Sequence, residues 1–272
     1  MTGGSFSEQY GPWAVVLGAG AGLGEAYARE LSARGIDLVL VDRDVDALRS
    51  LADGLGPERC RTEVVDFADE DAVDRVIAAI DPLDVGLLVA NAAASYVGRF
   101  SDQPLASIEA QLQVNLRMPV TLVHRLLPRL TARDRAGVVL MSSLSSRRGA
   151  PLVATYAASK AYLAILAESL WDELGPVGID VLGVLPGSTR TPGWLSSLPQ
   201  SGMGTAMVME PDDVVIEVLD ALGAGHPTLV PGQQNRDSEQ LLETMPRADA
   251  VRMVGQVMRD MYPDDREVDT TV

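Results

Sequence analysis

The sequence predicts an α/β protein, a single domain built on a doubly wound parallel sheet of about seven strands with helices on both faces. Three observations predict it. Short apolar runs alternate with helical patterns from residue 13 to about residue 230, the pattern of parallel strands joined by crossover helices. The runs are continuously apolar rather than alternating, as strands buried on both faces are. The 272 residues contain no internal repeat, no Gly/Ser linker and no composition break that would divide them, so one domain is the economical reading.

Taken in order, strands are expected at 13–17, 38–41, 62–65, 85–89, 138–141, 181–185 and 228–230. The first helix follows at 25–33 and stops at Gly35. Asp44 and Asp69 have the acceptor side chains that cap the second and third helices, and Asp212 opens another after Pro211. A helix at 107–130 carries Pro119, which lacks an N–H and whose ring pushes away the carbonyl of Asn115, so a kink is expected there. A long helix runs from before Tyr156 to about Leu174. Residues 1–11 read as a loose arm, 188–210 as a substrate lid with little periodicity, and 233–272 as a C-terminal extension. That extension is helical over 238–261, interrupted at Pro246, and ends in an acidic tail at 264–272.

Composition excludes several classes. Hydrophobic residues make up 47% and charged residues 22%, which fits a soluble globular chain and not a disordered one. Cys60 is the single cysteine, and His124 and His226 stand far apart, so neither a disulfide scaffold nor a metal centre is expected. A net charge of −16 repels nucleic acid and anionic membrane surfaces. The first Lys or Arg is Arg29, which leaves no basic leader pattern, and no apolar run is long enough to span a bilayer. The expected location is the cytoplasm.

Gly18-Ala19-Gly20-Ala21-Gly22-Leu23-Gly24 follows the first strand directly. Glycines permit a tight turn and let backbone N–H groups approach a pyrophosphate, whose charge the positive end of the following helix stabilises. The spacing fits GxxxGxG rather than GxGxxG, and it lacks the Gly-Lys-Ser/Thr ending of an NTPase loop. Gly20 and Leu23 complete the backbone of this turn. Asp42 closes the second strand, where a carboxylate accepts hydrogen bonds from ribose hydroxyls and repels a 2′-phosphate. NAD is therefore favoured over NADP, with Arg43 the residue that would reverse the choice by turning toward such a phosphate. Asp66, with Phe67 beside it, and Asn91 also lie at carboxyl ends of strands, where open α/β sheets bind ligands. Asp66 is placed to take an adenine amino group.

Lys160 is the one lysine in this sequence, and it lies four residues after Tyr156. That spacing puts phenol and ammonium on one helical face. A nearby cation favours phenolate and is expected to lower the tyrosine pKa toward neutrality, where it can exchange a proton. A snorkelling lysine beside a half-buried tyrosine is the structural alternative.

With these residues in view, the sequence resembles the short-chain dehydrogenase/reductases. Gly18, Gly22 and Gly24, then Asp66, Asn91-Ala92-Ala93, Asn115, Ser143, Tyr156 with Lys160, and Pro186-Gly187 occur in the family's order. The resemblance covers residues 13 to about 230. It implies a Rossmann-type nucleotide-binding fold and an NAD(P)-linked reaction at an alcohol or ketone carbon. Tyr156 is implied as general acid/base, Lys160 as the group that tunes it and binds the ribose, and Ser143 as the hydroxyl that orients the substrate oxygen. Asn115 is implied to hold a water that relays the proton with Lys160. Pro186, Gly187, Thr189 and Thr191 resemble the segment that holds the nicotinamide carboxamide.

Ser142, Ser145 and Ser146 read as turn or capping serines, Ser145 being also a candidate substrate contact. The branch resembled contains hydroxysteroid dehydrogenases and 3-oxoacyl-CoA reductases, which implies a bulky apolar substrate. Trp194, Leu195, Met203, Met207 and Met209 suit one, since methionines adapt to large ligands. Arg147 and Arg148 are either solvated or placed to meet an anionic substrate tail. Assembly as a homodimer or homotetramer, through the helices carrying Asn115 and Tyr156, is implied as well.

Leu17, Ala90 and Ala93 depart from the family's usual Thr, Asn and Gly, and Ala93 would be strained at positive φ. The expected activity is NAD(H)-dependent interconversion of a secondary alcohol and a ketone, in the oxidative direction. The alternatives are a nucleotide-sensing module without turnover and an NADPH-dependent 3-oxoacyl reductase.

Overall fold

Seven strands pair in parallel throughout: β1 (Trp13–Leu17), β2 (Asp37–Asp42), β3 (Cys60–Val64), β4 (Val85–Ala90), β5 (Ala136–Met141), β6 (Ile179–Val184) and β7 (Thr228–Leu229). Their order across the sheet is β3-β2-β1-β4-β5-β6-β7. The chain winds outward from β1 to β3, then returns to the other side of β1. This leaves a crevice at the carboxyl ends of β1 and β4, where such sheets take ligands. The computed structural model describes residues 5–198 and 207–263. The acidic tail at 264–272 and Met203 lie outside the described residues.

Alternate residues of each central strand feed two cores. Ala14 and Val16 of β1 face a layer made by α2 (Gly22–Ala33), α3 (Val45–Leu55) and α9 (Pro211–Ala221). Val15 and Leu17 face α4 (Ala72–Ile80), α6 (Met118–Leu130) and α7 (Ala154–Leu174). Burial on both sides explains the apolar runs. The edge strand β3 departs from that expectation: Arg61 and Thr62 are exposed, since an edge strand has one neighbour and is protected from stray pairing by polar side chains.

Local chemistry set most helix ends. Asp44 caps α3 by accepting from Asp46 N at 3.1 Å and Ala47 N at 3.0 Å, and Gly35 takes φ +85° after α2. Asp69 does not cap α4. Asp66 accepts from Ala68 N at 2.9 Å, which spends the intervening residues on turns and delays the helix until after Asp71. The expected helix at 107–130 is three pieces, α5 (Leu105–Leu112), a π-helical turn at Gln113–Arg117 and α6. In that turn Met118 N donates to Gln113 O, five residues back. The predicted break is present, and its form is a π-turn just before Pro119.

The loose N-terminal arm is corrected. Residues Phe6–Tyr10 form helix α1, started by a capping box in which Glu8 N donates to Ser5 Oγ and Ser5 N donates to Glu8 Oε2. Tyr10 is buried and donates its hydroxyl to Asp180 Oδ2 at 2.8 Å. The arm therefore seals the amino end of the sheet. At the other terminus α10 (Gln233–Thr244) and α11 (Arg247–Met261) are parted at Pro246 as expected. Short α8 (Pro192–Ser197) lies within the stretch read as a lid. Among the described residues no helix is long and apolar enough to cross a membrane.

Candidate active site

The carboxyl ends of β1, β4 and β5, with α7, surround one cavity of about 600 Å³. Its floor is the glycine turn, and the need for glycine there is steric. A Cβ on Gly24 would lie 1.7 Å from the Gly18 carbonyl oxygen, and one on Gly18, at φ +72°, would lie 2.9 Å from Ala92 Cα. Gly22, at φ +60°, faces the Thr191 methyl group. This backbone cradle, closed from above by the segment after β6 and continuous with a helix N-terminus, fits a dinucleotide pyrophosphate.

Most of the expected nucleotide contacts converge there. Gly18, Gly22, Leu23, Asp42, Arg43, Asp66, Phe67, Asn91, Pro186 and Thr191 line the cavity together with Tyr156 and Lys160. Asp42 accepts from Gly20 N at 2.9 Å and from Asp44 N at 3.1 Å, so its carboxylate is fixed at the rim. Arg43 is exposed and leans toward Asp66 at 3.7 Å. Asn91 also has a supporting job: its amide donates to the Leu17 and Gly18 carbonyls at 3.3 and 3.2 Å, pinning β4 to the turn. Gly20 and Gly24 act from beneath the cavity surface. Gly187 and Thr189 do not line it; Thr189 is buried, donates to Gly187 O at 3.2 Å and bridges to Met209. Thr191 caps α8 by accepting from Trp194 N at 3.1 Å.

Tyr156 and Lys160 sit one turn apart on α7, with Nζ 5.6 Å from the phenol ring centroid. Lys160 is buried and donates to the Met141 carbonyl at 2.7 Å. Burial pushes its pKa down to about 8. The expectation for Tyr156 is overturned: burial raises the pKa of its phenol, the Ser143 hydroxyl beside it pulls the other way, and the phenol of Tyr262 raises it further. Desolvation is the largest cause, and the Lys160 ammonium is committed to the Met141 carbonyl.

The supporting residues form a connected set. Asn115, fully buried in the π-turn, donates to Ala94 O and Ser159 Oγ at 2.9 Å each and accepts from Ala94 N at 2.8 Å. Ser159 Oγ in turn donates to the Tyr156 carbonyl at 2.8 Å. Ser142, which read as a turn serine, joins the end of β5 to α7 by donating to Lys160 O at 2.7 Å. Ser143 caps a short 3-10 turn, and its hydroxyl lies 2.7 Å from that of Ser145. Ser145 is thus a partner of Ser143.

The substrate side differs from the reading of single residues. Trp194 is half-buried, Leu195 and Met207 are exposed, and Met209 is packed against Gly232 and Asn235 instead of facing the cleft. Arg147 is held by Glu239 at 2.5 Å and Arg148 donates to Leu242 O at 3.3 Å, so both tie the loop after Ser143 to α10. Ala93 keeps a negative φ, since Leu152 at φ +69° is the one non-glycine with positive φ among the described residues. Four contributors escaped the sequence reading. Ala94 and Ser95 line the cavity but are small residues without a pattern. Ser159, next to Lys160, had a signal in the motif itself. Tyr262 had none, because only the fold brings it to Tyr156.

A doubly wound sheet with a glycine cradle at its switch point, faced by a half-buried tyrosine one turn from a buried lysine, defines a nucleotide-dependent oxidoreductase. The short chain dehydrogenase family model matches residues 12–200. The 7beta-hydroxysteroid dehydrogenase of Clostridium sardiniense is 34% identical over 94% of this chain and 99% of its own length. That of Collinsella aerofaciens is 32% identical over 85% and 90%. A solved structure from work on 7beta-hydroxysteroid dehydrogenase stereoselectivity superposes with a TM-score of 0.85 at 27% identity, covering 92% of this chain and 99% of that one. A Sphingobium yanoikuyae short-chain dehydrogenase in complex with NADPH superposes at 0.75 with 26% identity, covering 87% and 97%. The chain belongs to the short-chain dehydrogenase/reductase family, NAD(P)-binding oxidoreductases that act on CH–OH groups.

Proposed function

We propose that this protein interconverts a secondary alcohol and a ketone on a bulky apolar substrate, of the hydroxysteroid kind named for its relatives, with NAD(H) as redox partner. One observation carries the reading: the phosphate cradle, Tyr156 and Lys160 open onto a single cavity. The nicotinamide cofactor, when bound, supplies or removes the hydride. Tyr156 donates its phenolic proton to the substrate oxygen during reduction and takes it back during oxidation. Ser143 donates a hydrogen bond to the same oxygen and stabilises charge that develops there. Lys160 spends one N–H on Met141 O and has two more for a ribose diol. Asn115 supports Tyr156 through Ser159, and a water-borne proton relay at the π-turn belongs to this proposal.

The NAD preference rests on Asp42, whose backbone-anchored carboxylate opposes a 2′-phosphate, while Arg43 faces Asp66. Exposed Leu105, Leu112, Tyr162 and Ile165 on α5 and α7 support a homo-oligomer through those helices. The cytoplasm remains the location we propose.

The test follows NADH and NADPH absorbance with hydroxysteroids, their ketones and a 3-oxoacyl thioester, using wild type and Tyr156→Phe. Turnover of a hydroxysteroid, a higher kcat/KM with NAD than with NADP, and a loss of about 10²–10⁴-fold in Tyr156→Phe are expected. Unchanged turnover by the variant overturns the mechanism. Preference for NADPH with the thioester makes the protein a 3-oxoacyl reductase, the activity named for mammalian relatives such as the human very-long-chain 3-oxoacyl-CoA reductase, 31% identical over 65% of this chain and 59% of its own length. Cofactor binding without turnover of any of them makes it a sensor.

A further inference from the structure

A buried amide stands behind the segment that follows β6. Asn235, in the first turn of α10, is 6% exposed, and the acid–base chemistry makes no use of it. Its Nδ2 donates to Pro231 O at 2.8 Å and reaches Met209 Sδ at 3.4 Å. The amide lies against Gly187, where a Cβ would stand 2.5 Å from Asn235 Oδ1 and 2.9 Å from both Cγ and Nδ2. Gly187 does not take a positive φ, so what an alanine would meet there is the amide. The turn carrying Asn235 is fixed in its own right: Gly232 N donates to Glu217 Oε2 at 3.0 Å, and Arg236 Nη1 donates to Glu217 Oε2 at 3.1 Å and to Val230 O at 2.9 Å.

Asn235 therefore grips the segment at two points. It bears on Gly187 directly. Through Met209 it bears on residues 188–190, because Met209 N donates to Ser188 O at 3.0 Å and Arg190 N donates to Met209 O at 2.9 Å. Pro186 and Thr191, on either side of the gripped residues, line the cavity. The strand order decides what this segment meets. Asp42 and Asp66 follow β2 and β3 at one side of the sheet, the glycine turn follows β1, and residues 186–191 follow β6 at the other side. A dinucleotide with its adenosine at Asp42 and its pyrophosphate on the glycine turn extends toward β5 and β6 with its nicotinamide half. An amide that fixes Gly187 and Met209 fixes the wall beside that half.

We propose that Asn235 is a positioning residue for the nicotinamide half of the cofactor, acting through Gly187 and Met209. The inference rests on NAD(H) being the redox partner, and the choice of ligands separates the two. NADH and ADP-ribose, the same nucleotide without nicotinamide, are titrated calorimetrically into wild type, Asn235→Ala, Asn235→Leu, Gly187→Ala and the double variant Gly187→Ala/Asn235→Ala, with no substrate present.

Wild type is expected to bind NADH more tightly than ADP-ribose. Asn235→Ala is expected to weaken NADH about tenfold, equivalent to about 1.4 kcal/mol, and ADP-ribose by less than about twofold. Gly187→Ala drives a methyl group into the amide and should give a similar loss. With the amide removed the methyl group has room, so the double variant should bind NADH no more weakly than Asn235→Ala alone. A merely structural role predicts equal losses for the two ligands. That result, no loss, losses that add in the double variant, or a wild type in which nicotinamide contributes no affinity overturns the proposal. If thermal melts show Asn235→Ala unfolded, Asn235→Leu decides, since it has similar volume and lacks both hydrogen bonds: a loss of about threefold or more confined to NADH supports the proposal, and a smaller one overturns it. A wild type that binds NADPH more tightly than NADH sinks the cofactor choice alone, and NADPH against 2′-phospho-ADP-ribose then judges Asn235 by the same ratio.

Discussion

The glycine cradle and the apolar cluster that holds Tyr156 are built in opposite ways. The cradle is local: a strand, seven residues and a helix, in which bare backbone does the recognising, with Asn91 and Asp42 as braces from neighbouring strands. The cluster is assembled from the loop after β5, α7 and α11, segments far apart in the chain that meet through side chains. A steric requirement on backbone tolerates almost no substitution, whereas a wall of packed side chains can be rebuilt residue by residue. Within one fold, the first arrangement fixes a backbone shape and the second leaves its lining free to vary.

The sharpest way to break this contrast is Gly24→Ala. A methyl group 1.7 Å from the Gly18 carbonyl forces the turn open at a cost of about 3 kcal/mol, so NAD(H) affinity should fall about a hundredfold in a fluorescence titration. Affinity within a few-fold of wild type would mean that the cradle is not rigid.

Asn115→Ala tests whether the two regions share a brace. It strands the Ala94 N–H and carbonyl and takes one donor from the Ser159 hydroxyl, and leaving such groups unpaired costs about 2–3 kcal/mol. The expected fall in Tm is about 5–10 °C, and kcat drops along with it because Ser159 also holds the Tyr156 carbonyl.

Lys160→Met gives a smaller effect of the opposite sign on stability. Burial holds this lysine near pKa 8 against about 10.4 in an unfolded chain. Below pH 8 the fold must keep the ammonium charged at a cost of about 3 kcal/mol, and that cost disappears as pH rises from about 8 to 10.4. After losing the hydrogen bond to Met141, worth about 1 kcal/mol, the variant should be about 2 kcal/mol more stable at pH 7. The gain should vanish near pH 10 while turnover is lost at every pH. Denaturant melts at pH 7 and pH 10 measure it.

What could be read in advance follows the same division. Strand positions, the glycine turn, Asp42, Asp44 and the Tyr156–Lys160 pair were legible because each rests on spacing within one or two elements. The capping box at Ser5 and Glu8 was equally local and was missed, which turned a packed helix into an expected loose arm. The methionines of the expected lid misled because composition says nothing of direction: Met209 turned to Asn235. The Tyr156 pKa went the other way because desolvation depends on everything around a phenol, and sequence spacing reports only one neighbour. Tyr262 was invisible since a terminal tyrosine acquires meaning only where its helix lands.

The lone lysine has a practical corollary. Its amine is buried in the wall of the cleft, and the sequence offers acylating reagents no other side-chain amine. Acylation of that one nitrogen would therefore report how freely a reagent enters the cleft, readable as a mass increment on the peptide that carries it and slowed by whatever small molecule fills the cleft.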